Sequence, residues 1–205
     1  MGTDDLFKKA REKREARKSL NKKILDNILI LCEGEKTEPN YFNGIKCKYR
    51  MSNVEIKGLG ANTDTITKMA ITEHRNFSQI WCVFDRDSFD AYNFNRAFQM
   101  IKKYQNIHIA YSNEAFELWY LLHFNYYNTG ITREAYCKKL DKLLGKKYKK
   151  KSTEIYSLIC DKENVAIKNA KRLFESYPNE NPEKNNPSTT VYKLVEELNK
   201  YKDTF

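Results

Sequence analysis

An α/β fold built on a parallel sheet follows from three features of the sequence. Short apolar runs recur at 27–32, 53–58, 79–84 and 107–112, and a segment of helical length separates each from the next. Strands and helices alternating at this spacing form right-handed βαβ units, and those build a parallel sheet. Two of the runs, "ILILCEGE" from Ile28 and "IWCVFDRD" from Ile80, are apolar almost without interruption and then end in acids. Strands of that kind are buried on both faces and deliver charge only at one edge. After Asn113 the alternation stops and only helical segments follow. The plan is therefore an α/β core of about four parallel strands with flanking helices, extended at its C-terminal side by further helices.

Each element has a local justification. Residues 27–32 form the first strand, and Pro39 suits the first turn of a helix over 38–50. "NVEIKG", 53–58, is a short strand closed by Gly58 and Gly60. Asn62 or Thr63 caps a helix over 62–76. Residues 79–84 make the third strand, 92–104 the third helix, and "IHIAYS", 107–112, the fourth strand. Helices are then expected near 114–124, 131–144, 152–159, 162–176 and 188–202, with no further strand. "YPNENPEKNNP", 177–187, is a Pro/Asn loop, and "NNPST", Asn185 to Thr189, reads as a helix start capped by Asn186 or Ser188. Domain organisation follows: a basic arm over 1–23, an α/β core over 24–124, and a helical extension over 125–205 packed on the core.

At 205 residues, 40% apolar and 13% aromatic, the chain is globular and long enough for a sizeable core. No run approaches the ~20 apolar residues of a membrane span, and the N-terminus lacks a signal-peptide core, so a cytoplasmic protein is expected. Five cysteines without CxxC spacing argue against zinc and disulfides; Cys32 and Cys82 sit inside apolar strands as small hydrophobes. The net charge of +10 is uneven. Lys8 to Lys23 carries nine basic residues against two acids, and "KKYKKK" places Lys146, Lys147, Lys149, Lys150 and Lys151 around one tyrosine. Such clusters are either solvated surface or a surface for a polyanion, whose counterions are released on binding.

The acids sharpen this choice. In open parallel sheets ligands bind beyond the carboxyl ends of the strands, near the switch in strand order. Glu33 and the pair Asp85 and Asp87 occupy that edge, and neighbouring strands lie roughly 5 Å apart. Carboxylates that close repel one another unless a cation neutralises them. Hard oxygen ligands favour Mg²⁺ or Mn²⁺ over zinc. The plainer alternative is a set of loop acids that cap the following helices.

A strand ending in Glu-Gly followed by a later strand ending in Asp-x-Asp resembles the Toprim domain of topoisomerases, primases and overcoming-lysogenization-defect nucleases. The strings "CEGEKTEPNYF", "VFDRDSF", "SNEAFELWYLLHF" and "NPSTTVYKLVEEL" resemble the RloB-like family more specifically. That resemblance implies a Toprim-like, Rossmann-like core and a divalent-metal-dependent nuclease. It further implies a restriction or anti-phage setting with an ATPase partner of the AAA or ABC type. DNA and RNA, tRNA included, both remain open as substrate, and a homo-oligomer is compatible with it. Glu38, five residues after Glu33, resembles the second acid of the overcoming-lysogenization-defect nucleases.

Within "SNEAFELWYLLHF" the helix is apolar nearly all round, so Glu117 lies among apolar neighbours and needs a cation or a donor. It is either a further metal or supporting acid, or half of a structural pair with Arg or Lys. Glu114 reads as a first-turn acid favoured by the helix dipole, and His123 as a satisfied core histidine. Lys150 or a neighbour could reach the site. Glu33, Glu38, Asp85 and Asp87 are thus the expected metal ligands, with Glu117 joining Glu33, Asp85 and Asp87 in catalysis and the five lysines holding nucleic acid. A haloacid-dehalogenase phosphatase would place Asp-x-Asp after the first strand, where this chain has Glu-Gly. A receiver domain would need neither Glu38 nor Glu117. A non-catalytic subunit that binds nucleic acid or an ATPase is the rival from a different class.

Overall fold

A computed structural model describes residues 26–87 and 91–202; the basic arm, 1–23, lies outside the described residues. In chain order the elements are β1 (Ile28–Cys32), α1 (Thr37–Lys48), β2 (Val54–Gly58), α2 (Thr63–Glu73), β3 (Gln79–Asp85), α3 (Tyr92–Ile101) and β4 (Ile107–Asn113). There follow α4 (Glu117–Leu122), α5 (Arg133–Leu144), α6 (Ile155–Ile159), a 3₁₀ turn (Cys160–Lys162), α7 (Glu163–Glu175), β5 (Ser188–Thr189) and α8 (Val191–Asn199). The sheet runs β2-β1-β3-β4-β5, with the first four strands parallel and β5 antiparallel to β4.

Period-two alternation explains why β1 and β3 are apolar throughout. Ile28, Ile30 and Cys32 of β1, with Trp81 and Val83 of β3, face one core; Leu29 and Leu31, with Ile80, Cys82 and Phe84, face another. The second core is covered by Ile66 and Ala70 of α2 and Phe94 and Ala97 of α3. The first is covered by α1, α4, α5, α6, α7 and α8, with Tyr41 at its centre in edge contact with Phe42, Phe116, Trp119 and Tyr156. All five residues of β1 are fully buried, and burying each Ile or Leu side chain contributes about 1.5–3 kcal/mol. The sheet edge that carries the acids is held between two apolar layers.

Cap chemistry sets the helix starts. The Asn62 side chain accepts from Thr65 N at 2.9 Å to begin α2, and Thr132 Oγ1 accepts from Ala135 N at 3.3 Å to begin α5. Gly145, at φ 64°, ends α5 in the left-handed conformation that glycine adopts without a Cβ penalty.

Three expectations are corrected. The sheet has five strands rather than about four, because Ser188 and Thr189 pair with Asn113 and Ser112. Consequently Asn186 and Ser188 do not cap the last helix, which begins at Val191 after Thr190. A two-residue polar strand carries no hydrophobic period, so its only signature is in its pairing. Thr189 Oγ1 donates to Tyr111 O at 3.0 Å and lies 2.9 Å from Ser112 Oγ, both deeply buried. Thirdly, α4 begins at Glu117 rather than 114, because Asn113 and Glu114 are drawn into tertiary bonds. The Asn113 side chain donates to the carbonyls of Pro182 and Glu183, and Glu114 Oε1 accepts from Arg133 N at 3.3 Å. Glu114 therefore serves the start of α5 and not that of its own helix.

Thr189→Val keeps the shape of the side chain and removes the hydroxyl that ties β5 to β4. Chemical denaturation should show a loss of about 1–3 kcal/mol, the cost of leaving buried partners unsatisfied.

Candidate functional site

The strand order reverses between β1 and β3, which makes this pair the switch point of the sheet. Cys32 is registered with Val83, so the residues beyond β1 and at the end of β3 lie side by side. Glu33 N donates to Val83 O at 2.9 Å, and Asp85 N donates to Glu33 Oε2 at 3.3 Å. Asp87 follows at φ 32°, an uncommon backbone for a non-glycine residue that Asp tolerates better than most.

Glu38 reaches the same place from the first turn of α1, where an acid complements the helix dipole. Gly34 makes this approach possible, since a Cβ there would collide with Glu38 Oε2. The "EGE" of the sequence is therefore a space requirement as well as a turn. Glu117, at the start of α4, completes a cavity of about 230 Å³ lined by all five acids together with Arg133 and Lys150. A larger groove of about 1030 Å³ lies at the opposite end of the sheet, near Gln79, Asn106 and His108. There Glu197 already bonds Gln79 and Lys200, so the unsatisfied chemistry is in the smaller cavity.

Crowding shows in the electrostatics. Burial, reinforced by the charges of Asp87 and Glu38, pushes the Glu33 carboxyl up to about 7, against the Asp85 N–H and Arg133. Burial and the neighbouring Glu117 raise Glu38. Burial and Glu38 raise Asp85 well above the carboxylate range, although Arg133 pulls the other way. Burial disfavours the Arg133 charge, but Asp85 and Asp87 outweigh it and hold its guanidinium above the ordinary value. Two buried oxygens, Glu38 Oε2 and Asp85 Oδ1, have no hydrogen-bond partner.

Arg133 is the residue that sequence reasoning missed. Its Nη2 donates to Asp85 Oδ2 at 2.7 Å and to Asp87 Oδ1 at 2.6 Å. A positive group for the acids at the end of β3 is thus supplied by the chain itself, from 48 and 46 residues away. One local signal was available: Arg133 is the first residue of α5, where the helix dipole favours acids and opposes a cation.

Among the lysines, Lys150 lines the cavity, with Nζ 4.0 Å from Glu117 Oε1. Lys146, Lys147 and Lys149 line a separate small pocket, and Lys146 faces Glu154 at 3.5 Å. Lys151 contributes its carbonyl to Asn40. The Lys150 carbonyl accepts from Thr37, and that of Ser152 from Asn40, so this segment is strapped across the start of α1. Glu117 Oε1 also accepts from Tyr148 OH at 3.3 Å, so it joins the acids while leaning on a tyrosine of the same strap. His123 stays in the aromatic core, where Nδ1 lies 2.9 Å from Trp119 O and burial lowers its pKa to about 4. Among the described residues, no three His, Cys, Asp or Glu side chains stand in a ready-made metal-binding arrangement; Asp85 and Asp87 are turned onto Arg133.

Fold and cavity together define a class: an α/β protein with a carboxylate cluster at the switch point of its sheet. A model of the family described as RloB-like protein matches residues 28–198, and the chain belongs to that family. No curated protein and no solved structure matches it. Among the described residues no helix is long and apolar enough to cross a membrane.

Because Glu33 titrates near 7 when folded and near 4.5 when unfolded, the folded state binds more protons between those values, and this group's contribution to stability falls as pH rises. In EDTA, Glu33→Gln should therefore be more stable than wild type at pH 7.5, by about 1–2 kcal/mol after allowance for partial exposure. The gain should shrink to nothing by about pH 4.5. Paired thermal melts across this range check it, and His123, which titrates in the same window, cancels in the comparison.

Proposed function

We propose that this chain is a divalent-metal-dependent phosphodiesterase of Toprim type that hydrolyses nucleic acid. The observation that carries the reading is the pair of buried, unpartnered oxygens, Glu38 Oε2 and Asp85 Oδ1, in a cavity lined by five carboxylates. Such a donor set fits a hard cation, Mg²⁺ or Mn²⁺, and Glu33, Glu38, Asp85 and Asp87 are the residues that would hold it. When bound, the ion would supply charge neutralisation at the phosphate and a lowered pKa for attacking water. The remaining steps belong to the chain. Glu33 holds its proton up to about 7 in the metal-free cavity and would release it as the ion binds. Lys150 stands at the cavity beside Glu117, where an ammonium can meet a phosphate oxygen. The other lysines of the strap and the basic arm would track the backbone through charge.

Membership of the RloB-like family supports a role as effector in anti-phage defence, acting with an AAA- or ABC-type ATPase on DNA or RNA, tRNA included. A second reading is favoured by one observation, the neutralisation of Asp85 and Asp87 by Arg133. On that reading the acids are structural, and the chain is a non-catalytic subunit that binds nucleic acid or the ATPase.

Purified protein, alone and with a candidate AAA- or ABC-type ATPase, should cut members of a DNA and tRNA panel when Mg²⁺ or Mn²⁺ is present and stop on adding EDTA. Asp85→Asn removes ligand charge and keeps shape, so cleavage should fall at least about 100-fold with the fold intact. Full activity in a folded Asp85→Asn protein would exclude the metal reading and leave the non-catalytic one.

A further inference from the structure

Resting on the metal-dependent reading above, we propose that Arg133 is an internal stand-in for the cation. Its guanidinium occupies the place between Asp85 and Asp87 that a divalent ion takes, and the ion binds by displacing it.

The contact bridges two carboxylates where an ordinary arginine pair grips one. Arginine characteristically grips one carboxylate with two nitrogens. Here a single nitrogen, Nη2, bridges two carboxylates at 2.7 and 2.6 Å, as one metal ion shared between them would. The guanidinium also does the task incompletely. It satisfies Asp85 Oδ2 and leaves Asp85 Oδ1 and Glu38 Oε2 buried without partners. Five acids face Arg133 and Lys150, so with the acids ionised the cavity is short of positive charge, and exchanging one unit of charge for two reduces that deficit.

The side chain has a way out. Arg133 is 35% exposed at its side chain, against 12% for Asp85 and 33% for Asp87, so the guanidinium and Asp87 share the solvent-facing rim while Asp85 lies deeper. Its backbone is fixed independently, by Glu114 on its own N–H and by the Thr132 cap one residue earlier. Swinging the guanidinium outward therefore leaves the start of α5 in place. Its position at a helix start, opposed by the dipole, is a local cost with no gain other than the acids it meets. The same cation keeps the acids assembled before a metal arrives, and so sets how much metal is needed.

The sign of one measurement separates this role from a purely structural one. Mn²⁺ affinity, read by calorimetry and by the electron paramagnetic resonance signal of free Mn²⁺, is compared in wild type and Arg133→Met. Losing a competitor should tighten binding at least about tenfold, the factor for one charge-assisted contact. Losing a structural brace should weaken it. Arg133→Lys, which keeps a charge but cannot reproduce the guanidinium, should fall between the two. Unchanged or weaker binding in folded Arg133→Met, with wild type binding Mn²⁺, overturns the inference and leaves the proposed function standing. No binding in either protein overturns both. Binding in Arg133→Met alone supports the inference in its strongest form. Should Arg133→Met be unfolded without metal, refolding on addition of Mn²⁺, followed by circular dichroism, supports it, and failure to refold overturns it.

Discussion

Five carboxylates brought to one edge of a sheet repel each other, and much of the surrounding structure answers that repulsion. At about 4 Å and the effective dielectric of a protein near its surface, two unit charges interact by about 4 kcal/mol, so the cluster cannot stand fully ionised on its own. Four responses are built in. Glu33 holds its proton up to about 7. Arg133 lies across Asp85 and Asp87. Backbone N–H groups serve Glu33 and Glu38. Tyr148 donates to Glu117. Each comes from a different stretch of chain, so the long-range organisation of the molecule converges on this one electrostatic requirement.

The fold supplies the rigidity that the requirement needs. Glu33 and Asp85 cannot drift apart, because β1 and β3 are hydrogen-bonded neighbours packed between two apolar layers. Glu38 and Glu117 ride on helices whose inner faces are buried in the aromatic cluster around Tyr41. Arg133 is anchored through Glu114, at the carboxyl end of β4, and β5 closes that strand from the far side. A segment near the C-terminus, remote in sequence from the acids, thereby steadies the strand that leads to them.

What could be read from the sequence was whatever carries its own period or punctuation. An apolar run that stops at an acid announces both a buried strand and its acidic end, so the place of Glu33, Asp85 and Asp87 at the sheet edge was legible from neighbours alone. Glu117 was legible because a carboxylate inside "FELWYLL" conflicts with its surroundings. The helices of the second half were placed to within a residue or two at α5 and α7, whose caps and amphipathic spacing are local. β5 was not legible, since two polar residues gain strand identity only from Ser112 and Asn113. Arg133 showed only a cation set against the helix dipole after the Thr cap of "GITREAY"; the partners that give it meaning lie elsewhere.

The strap between α5 and α6 has a mechanical consequence. Thr37 and Asn40 grip its carbonyls at Lys150, Lys151 and Ser152, and Glu38 sits between those two residues on the same helical turn. These ties join residues 111 to 113 apart in the chain, and two side chains thereby lash the lysines and the acid into a single lever. Tyr148 fastens the other end of that lever to Glu117. A displacement of the lysines is therefore passed to both acids at once, and the position of the strap and the spacing of the carboxylates become one adjustable quantity.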